Sequence, residues 1–267
     1  MKRALLLLTP VLPLAAAALL MNSHPAPGPL AAADTPIRVP VIVELFTSEG
    51  CSSCPAADAA LRELEIAQSV PGVEIIALGE HVDYWNRLGW KDPFSSSQFT
   101  GRQRDYAAGF GTGSYTPQAV VNGRYEFVGS QRAKLADAIT RAAQAPRATV
   151  ALSRPTAGTL AVRVSDLPTG TSATEVLLAL TETGLSSQVG RGENSGRLLR
   201  HAAVVRSLRP LGSPAANGTF AANASLQLNP NWKTENLRAV VLVQEKASHR
   251  IVGVRALPLG IGAAVRQ

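Results

Sequence analysis

Val39-Pro40-Val41-Ile42-Val43-Glu44-Leu45-Phe46, then Thr47-Ser48-Glu49-Gly50, then Cys51-Ser52-Ser53-Cys54-Pro55: the reading of this chain turns on these residues. The first eight are largely β-branched and apolar, the composition of a short strand buried on both faces. Thr47 to Gly50 break it. From the cysteine pair a helical pattern runs to about Gln68, with Ala57, Leu61 and Leu64 at core spacing. Pro55 falls in the first turn, where its missing N–H costs no hydrogen bond. A strand, a Cys-x-x-Cys and a helix in that order place the first cysteine at a helix N-terminus. Unpaired N–H groups and the helix dipole favour a thiolate there, so Cys51 is expected to attack and Cys54, one turn in, to resolve the mixed disulfide.

Working outward, Pro71-Gly72 is a turn and Val73 to Leu78 a second buried strand. Residues 79–114 read as an insertion, with a helix from about Ser96 to Ala108 capped by Ser95; eight of the thirteen aromatic residues lie between Tyr84 and Tyr115. Gln118 to Val121, Asn122-Gly123 and Tyr125 to Val128 predict a hairpin with a type I′ turn. A helix from about Gln131 to Gln144 closes the unit. The order β-α-β-insertion-β-β-α predicts an α/β thioredoxin-like domain over residues 40–146. From Ala148 onward about seven short alternating runs, among them Leu160-Val162-Val164, Val176-Leu178-Leu180, Ala222-Ala224-Leu226 and Val240-Leu242, predict an all-β sandwich-like domain over residues 147–267.

The chain begins with Lys2 and Arg3, then the apolar run Ala4 to Leu20, interrupted by Pro10 and Pro13, and small residues at Leu30-Ala31-Ala32-Ala33. This pattern predicts a signal peptide over 1–33 cleaved near Ala33, a linker over 34–39, and export to the periplasm or beyond, with no stable membrane span afterwards. The net charge of +7 is scattered, without a run or motif, so a nucleic-acid partner is not expected. In an oxidising compartment the two cysteines can pair within the chain only with each other. A loop that short contributes only ~2 kcal/mol. The bridge is a poor staple and a better switch.

Other residues are candidates for the same site. Thr116-Pro117 precedes the hairpin at the place where a cis proline would pack against the cysteine pair and leave a backbone edge for a substrate peptide. Glu44, a carboxylate in an apolar strand, either accepts the proton of Cys54 or bonds neighbouring backbone. His81 follows the second strand and is expected at the same rim; it could shuttle protons, bind metal with the two thiolates, or bond a loop. Tyr84, Trp85 and Trp90 are candidates for contact with unfolded polypeptide, the two tryptophans as the exposed pair. Gly190-Arg191-Gly192-Glu193-Asn194-Ser195-Gly196-Arg197 reads as a hairpin tip or as a contact surface against the first domain.

Val41 to Pro55, Leu78 to Asn86, Tyr115-Thr116-Pro117-Gln118 and Gly192-Glu193-Asn194 closely resemble the exported bacterial family catalogued as domain of unknown function 1223. That family is assigned to the thioredoxin-like superfamily, so the resemblance implies that fold and a bacterial exported location, and supplies no substrate. Ser52-Ser53 between the cysteines is not the pair typical of thioredoxin or of the strong periplasmic oxidants, which leaves oxidant, reductant and isomerase open.

The function expected from these residues is a thiol–disulfide oxidoreductase acting on exported protein thiols, catalytic at Cys51, Cys54, Glu44 and Pro117. Substrate would touch Thr116, Trp85, Trp90 and Tyr84. The redox-active disulfide would stand in place of a cofactor, and a redox partner protein would complete the cycle. Two rivals stand beside it: a copper-binding module using Cys51, Cys54 and His81, and a non-enzymatic cell-envelope binding protein with a passive disulfide.

Overall fold

The computed structural model describes residues 38–260. The expected signal segment and most of the linker lie outside the described residues. The first half runs β1 (Val39–Thr47), α1 (Cys54–Ala67), β2 (Val73–His81), α2 (Ser97–Phe110), β3 (Gln118–Val121), β4 (Tyr125–Val128) and α3 (Arg132–Ala143). The second half is β5 (Thr149–Thr156), β6 (Thr159–Ser165), β7 (Thr174–Glu182), β8 (Ser186–Gln188), β9 (Leu198–Arg200), β10 (Val204–Gly212), β11 (Phe220–Ser225), β12 (Leu237–Glu245) and β13 (Ile251–Pro258).

Local chemistry explains the joints. Asn122 and Gly123 both take positive φ, 48° and 61°, as a type I′ hairpin requires. A Cβ on Gly123 would lie 2.1 Å from the carbonyl of His249, so only glycine fits. Helix α2 is capped by Ser96, whose hydroxyl accepts from the Gln98 N–H. That is one residue later than the Ser95 cap expected from sequence; Ser95 instead bonds Asn86 and the Asp92 carbonyl. Gln68 ends α1 in left-handed conformation, and its amide exchanges hydrogen bonds with the backbone of Ile75, tying the helix end to β2.

Eight strands form one sheet in the order β13-β12-β7-β10-β2-β1-β3-β4. Strands β11, β6 and β5 form a second, and β8 and β9 a short ribbon. The boundary expected at residue 146 therefore does not separate two sheets. Strand β10 lies parallel to β2, with Val204 beside Gly79, and the Gly79 N–H donates to the Ala203 carbonyl at 2.6 Å. β10 meets the outer edge of β2 at Gly79 alone.

This pairing also sets the faces. Gly79 is level with Val204, and Val204 with Glu182, so the odd residues of β2 share a face with the even residues of β7. On that face α1 and α3 cover Val41, Val43, Leu45, Ile75 and Ala77. Further along it, the small sheet packs Leu160, Val162 and Val164 onto Val176, Leu178, Val241 and Val243, sheet on sheet in a sandwich-like layer. On the opposite face Phe99 and Tyr106 of α2 cover Ile42, Phe46, Ile76 and Leu78.

Candidate functional site

The carboxyl end of β1 delivers the chain into a tight loop. Cys51 N–H donates to the Ser48 carbonyl at 3.2 Å, and Gly50 N–H to the Ser48 hydroxyl at 3.1 Å. Cys51 and Cys54 form a disulfide, with Cα atoms 5.4 Å apart, at the first turn of α1. Ser52 and Ser53 between them are exposed, yet the cysteines are 1% and 0% exposed. The cover comes from the second half of the chain. Asn194 donates from its amide to the carbonyls of Glu49 and Cys51, each at 2.9 Å, and Glu193 accepts the Ser52 N–H at 2.9 Å. The Ser52 side chain, and then that backbone bond, hold the Glu193 carboxyl below its usual range. Arg197 fixes the amide by donating to Asn194 Oδ1 at 2.7 Å. The Gly-rich segment 190–197 is thus a contact surface, and it latches the cysteine loop.

The Thr116–Pro117 peptide bond is cis. The antiparallel register of β1 and β3, Phe46 opposite Gln118, brings Pro117 to the same end of β1 as the cysteine loop. Pro117 is buried, and Thr116 accepts from the Trp85 indole at 2.9 Å. Trp85 and Trp90 are half-buried rather than an exposed pair, because each indole N–H is engaged: that of Trp90 donates to Glu49 Oε2 at 2.7 Å. Tyr84 is half-buried, and burial raises its pKa. Asp83 accepts the Thr100 hydroxyl, a bond within the insertion.

Beneath the loop, on the α1 face, lies a buried polar cluster that sequence reasoning found only in part. Glu49 faces His201, with Oε1 3.0 Å from Nε2, and its own N–H donates to Asp92 Oδ2 at 2.9 Å. His81 Nδ1 lies 2.7 Å from the same Asp92 oxygen. Asp58, one turn past Cys54 on α1, accepts the Thr47 hydroxyl on Oδ2 at 2.8 Å. The two imidazoles meet edge to face with centroids 4.8 Å apart. Burial works against the charged form of His201, but Asp58 and Glu49 outweigh it and raise its pKa to about 9. Burial opposes the Asp92 charge as well; the neighbouring His81 and the N–H groups of Glu49 and Phe94 prevail and hold its carboxyl below the usual range. Among the described residues His81 groups with His201 and Asp58, and neither cysteine belongs to that group.

Glu44 is a correction too. Strand alternation puts it with Ile42 and Phe46 on the α2 face, away from α1 and Cys54. It is fully buried and paired: Oε1 accepts from Arg102 Nε at 2.7 Å, and Oε2 accepts the Tyr106 hydroxyl at 2.6 Å. Glu80 is buried beside them, its Oε1 3.5 Å from Arg102 Nε. Burial, with the Glu44 charge added, pushes the Glu80 pKa well above the carboxylate range, against the pull of Arg102. Glu44 therefore belongs to an ion cluster on the α2 face with Arg102 and Tyr106.

His201, Asp58, Glu49, Asp92 and Asn194 were not singled out as site residues. A Gly-Glu-Asn in the Gly-rich loop was the one visible hint; His201 stands in an unremarkable run before β10.

The family model described as "Protein of unknown function (DUF1223)" matches residues 42–244. No curated protein matches the chain. Among solved structures, the chain is similar to the X-ray crystal structure of protein AGR_C_4864 from Agrobacterium tumefaciens. The identity is 29%, the TM-score 0.65, and the match covers 82% of this chain and 94% of that one. A domain of the outer membrane lipoprotein Omp28 from Porphyromonas gingivalis also matches, at 10% identity and TM-score 0.24, over 42% of this chain and 84% of that one. The second likeness is too slight to carry any argument. With most of its described length inside the family model, the chain belongs to the DUF1223 family.

Proposed function

We propose that this protein is an exported thiol–disulfide oxidoreductase of thioredoxin-like fold, acting through Cys51 and Cys54 on protein thiols. The observation that carries the reading is the disulfide at the start of α1 with buried Pro117 at the same end of the sheet. The first-half order, with sheet neighbours β2-β1-β3-β4 and helices α1 and α3 on one face, supports the fold assignment.

In the oxidising direction a substrate thiolate attacks Cys51 Sγ, the Cys51–Cys54 bond breaks, and Cys54 leaves as a thiolate that takes up a proton. A second substrate thiolate then attacks the substrate sulfur of the mixed disulfide and expels Cys51. The substrate loses two electrons and gains a disulfide; the protein gains two thiols. Reduction of a substrate is the reverse. N–H groups at the start of α1 stabilise the Cys51 thiolate in either direction. Since Cys51 is covered, attack requires the Asn194–Glu193 latch to open.

The test is dithiol-dependent reduction of a disulfide-bonded test protein by the wild type and by Cys51→Ser. Activity lost in the variant supports the reading; full activity in the variant ends it. The reduction potential adds direction. A value above about −230 mV marks a working oxidant or isomerase, and one near −270 mV a reductant. A value below about −300 mV marks a structural bridge, and then the passive-disulfide binding protein is the better description.

A further inference from the structure

We propose that Asp58, His81 and His201 form a binding site for a first-row divalent transition-metal ion, zinc foremost. The proposal is independent of whether the disulfide is redox-active. Three atoms carry it: Asp58 Oδ1, His81 Nε2 and His201 Nδ1. All belong to side chains more than nine-tenths buried, none has a hydrogen-bond partner among the described residues, and the three residues bring one ligand atom each within 4.8 Å of one another. Buried polar atoms are otherwise almost always partnered. Here three orphans face a common point.

The remaining polar atoms of the three residues explain why these ones are free. His81 gives Nδ1 to Asp92, His201 gives Nε2 to Glu49, and Asp58 gives Oδ2 to the Thr47 hydroxyl. With an ion bound, each imidazole would donate its far N–H to a carboxylate and turn a lone pair inward. This is the outer support that metal-binding histidines ordinarily have, fixing tautomer and ring orientation and raising basicity. A proton alone does not complete the cluster. His201 Nδ1 is 3.8 Å from Asp58 Oδ1, beyond hydrogen-bond range, and His81 Nε2 would still have nothing. An ion at the common point satisfies all three atoms together.

The chemistry of the donors names the class. Two neutral imidazoles and one carboxylate suit zinc and its first-row neighbours, and suit calcium or magnesium poorly. Bonds of about 2.0–2.2 Å would draw the donors to roughly 3.4 Å apart, a closure that small side-chain rotations supply. Three carboxylates, Asp58, Glu49 and Asp92, surround the point and favour a cation there. A cavity of about 160 Å³ lined by Pro55, Asp58, Ala59, Arg62 and His201 reaches two of the three ligands from outside. That is the entry path. The fourth coordination position is left for water or a ligand arriving through it.

Zinc chloride titrated calorimetrically into the metal-stripped, disulfide-bonded full-length protein should show one ion per chain. His81→Gln and His201→Gln should each lower the affinity by more than about 100-fold, and Asp92→Asn by ~10–100-fold through loss of outer support. His249→Gln and the double Cys51→Ser, Cys54→Ser variant should bind as the wild type does. Should the histidine variants fail to fold, ¹⁵N spectra of the unaltered protein give the same answer: zinc must shift the ring nitrogens of His81 and His201 and leave those of His249 unmoved. No uptake, uptake undiminished in both histidine variants, or uptake abolished by the cysteine variant would each overturn the proposal.

Discussion

Glu80 and His81 are neighbours in β2 and leave the strand in opposite directions, one into each of two buried polar clusters. On the α2 face Glu80 joins Glu44, Arg102, Tyr106 and Gln244, and the cluster contains its own permanent cation. On the α1 face His81 joins Asp58, His201, Glu49 and Asp92, a group that contains no Arg or Lys. Both clusters cost desolvation. The difference shows that burial of charge alone says little about function. What matters is whether the cluster carries its own cation, as Arg102 supplies to Glu44, or leaves unpartnered atoms of neighbouring residues without one, as around the two histidines.

The largest expected effect tests the closed cluster. Arg102→Met leaves Glu44 buried without a cation and should cost about 3–5 kcal/mol in urea unfolding. A loss below about 1 kcal/mol would mean that the α2 face is not held by this pair. Tyr106→Phe removes one donor to Glu44 and the acceptor for Arg102 and Gln244, and should cost about 1–3 kcal/mol by the same measurement. Asn194→Ala acts on the other cluster's cover. It should cost about 1 kcal/mol, but trapping of free thiols should show the disulfide reduced by dithiothreitol severalfold faster, as Cys51 is uncovered. An unchanged rate would put the barrier elsewhere.

The smallest effect comes from the rim counterpart of the Arg102 pair. Arg250 grips Glu245 at 2.7 and 2.8 Å with its guanidinium 43% exposed. Those bonds, against the opposing effect of burial and with help from Ser248, hold the Glu245 pKa at about 2, below its usual 4.5. A lowered carboxylate pKa stabilises the fold above pH 4.5, and that stabilisation is lost as pH falls through about 2. Arg250→Ala should therefore move the acid-unfolding midpoint to higher pH while costing no more than about 1 kcal/mol near neutrality.

How much of this was legible in the sequence follows from range. β1, the cysteine turn, α1 and the Asn122-Gly123 hairpin are written in neighbouring residues, and so is the place of Pro117. Glu44 was legible as a buried acid, but its side of the sheet was misjudged: an even position among Val41, Val43 and Leu45 points to the other face. The apolar runs after residue 148 announced strands without saying that four of them extend the first sheet. His201 could not be placed beside His81, because one pairing between β10 and β2 brings them together across the chain. Asp58 looked like an ordinary helix residue for the same reason.

That pairing also has a consequence for the order in which the molecule is made. The free edge of β2 waits for β10, and 123 residues separate His81 from Val204. At ~5–20 residues per second, synthesis takes roughly 6–25 s to cover that distance. Throughout that interval the nascent chain carries an apolar strand with an open edge, the template on which chains stick to one another. If the protein is exported before it folds, a holding chaperone rather than a folding one is the helper this topology calls for.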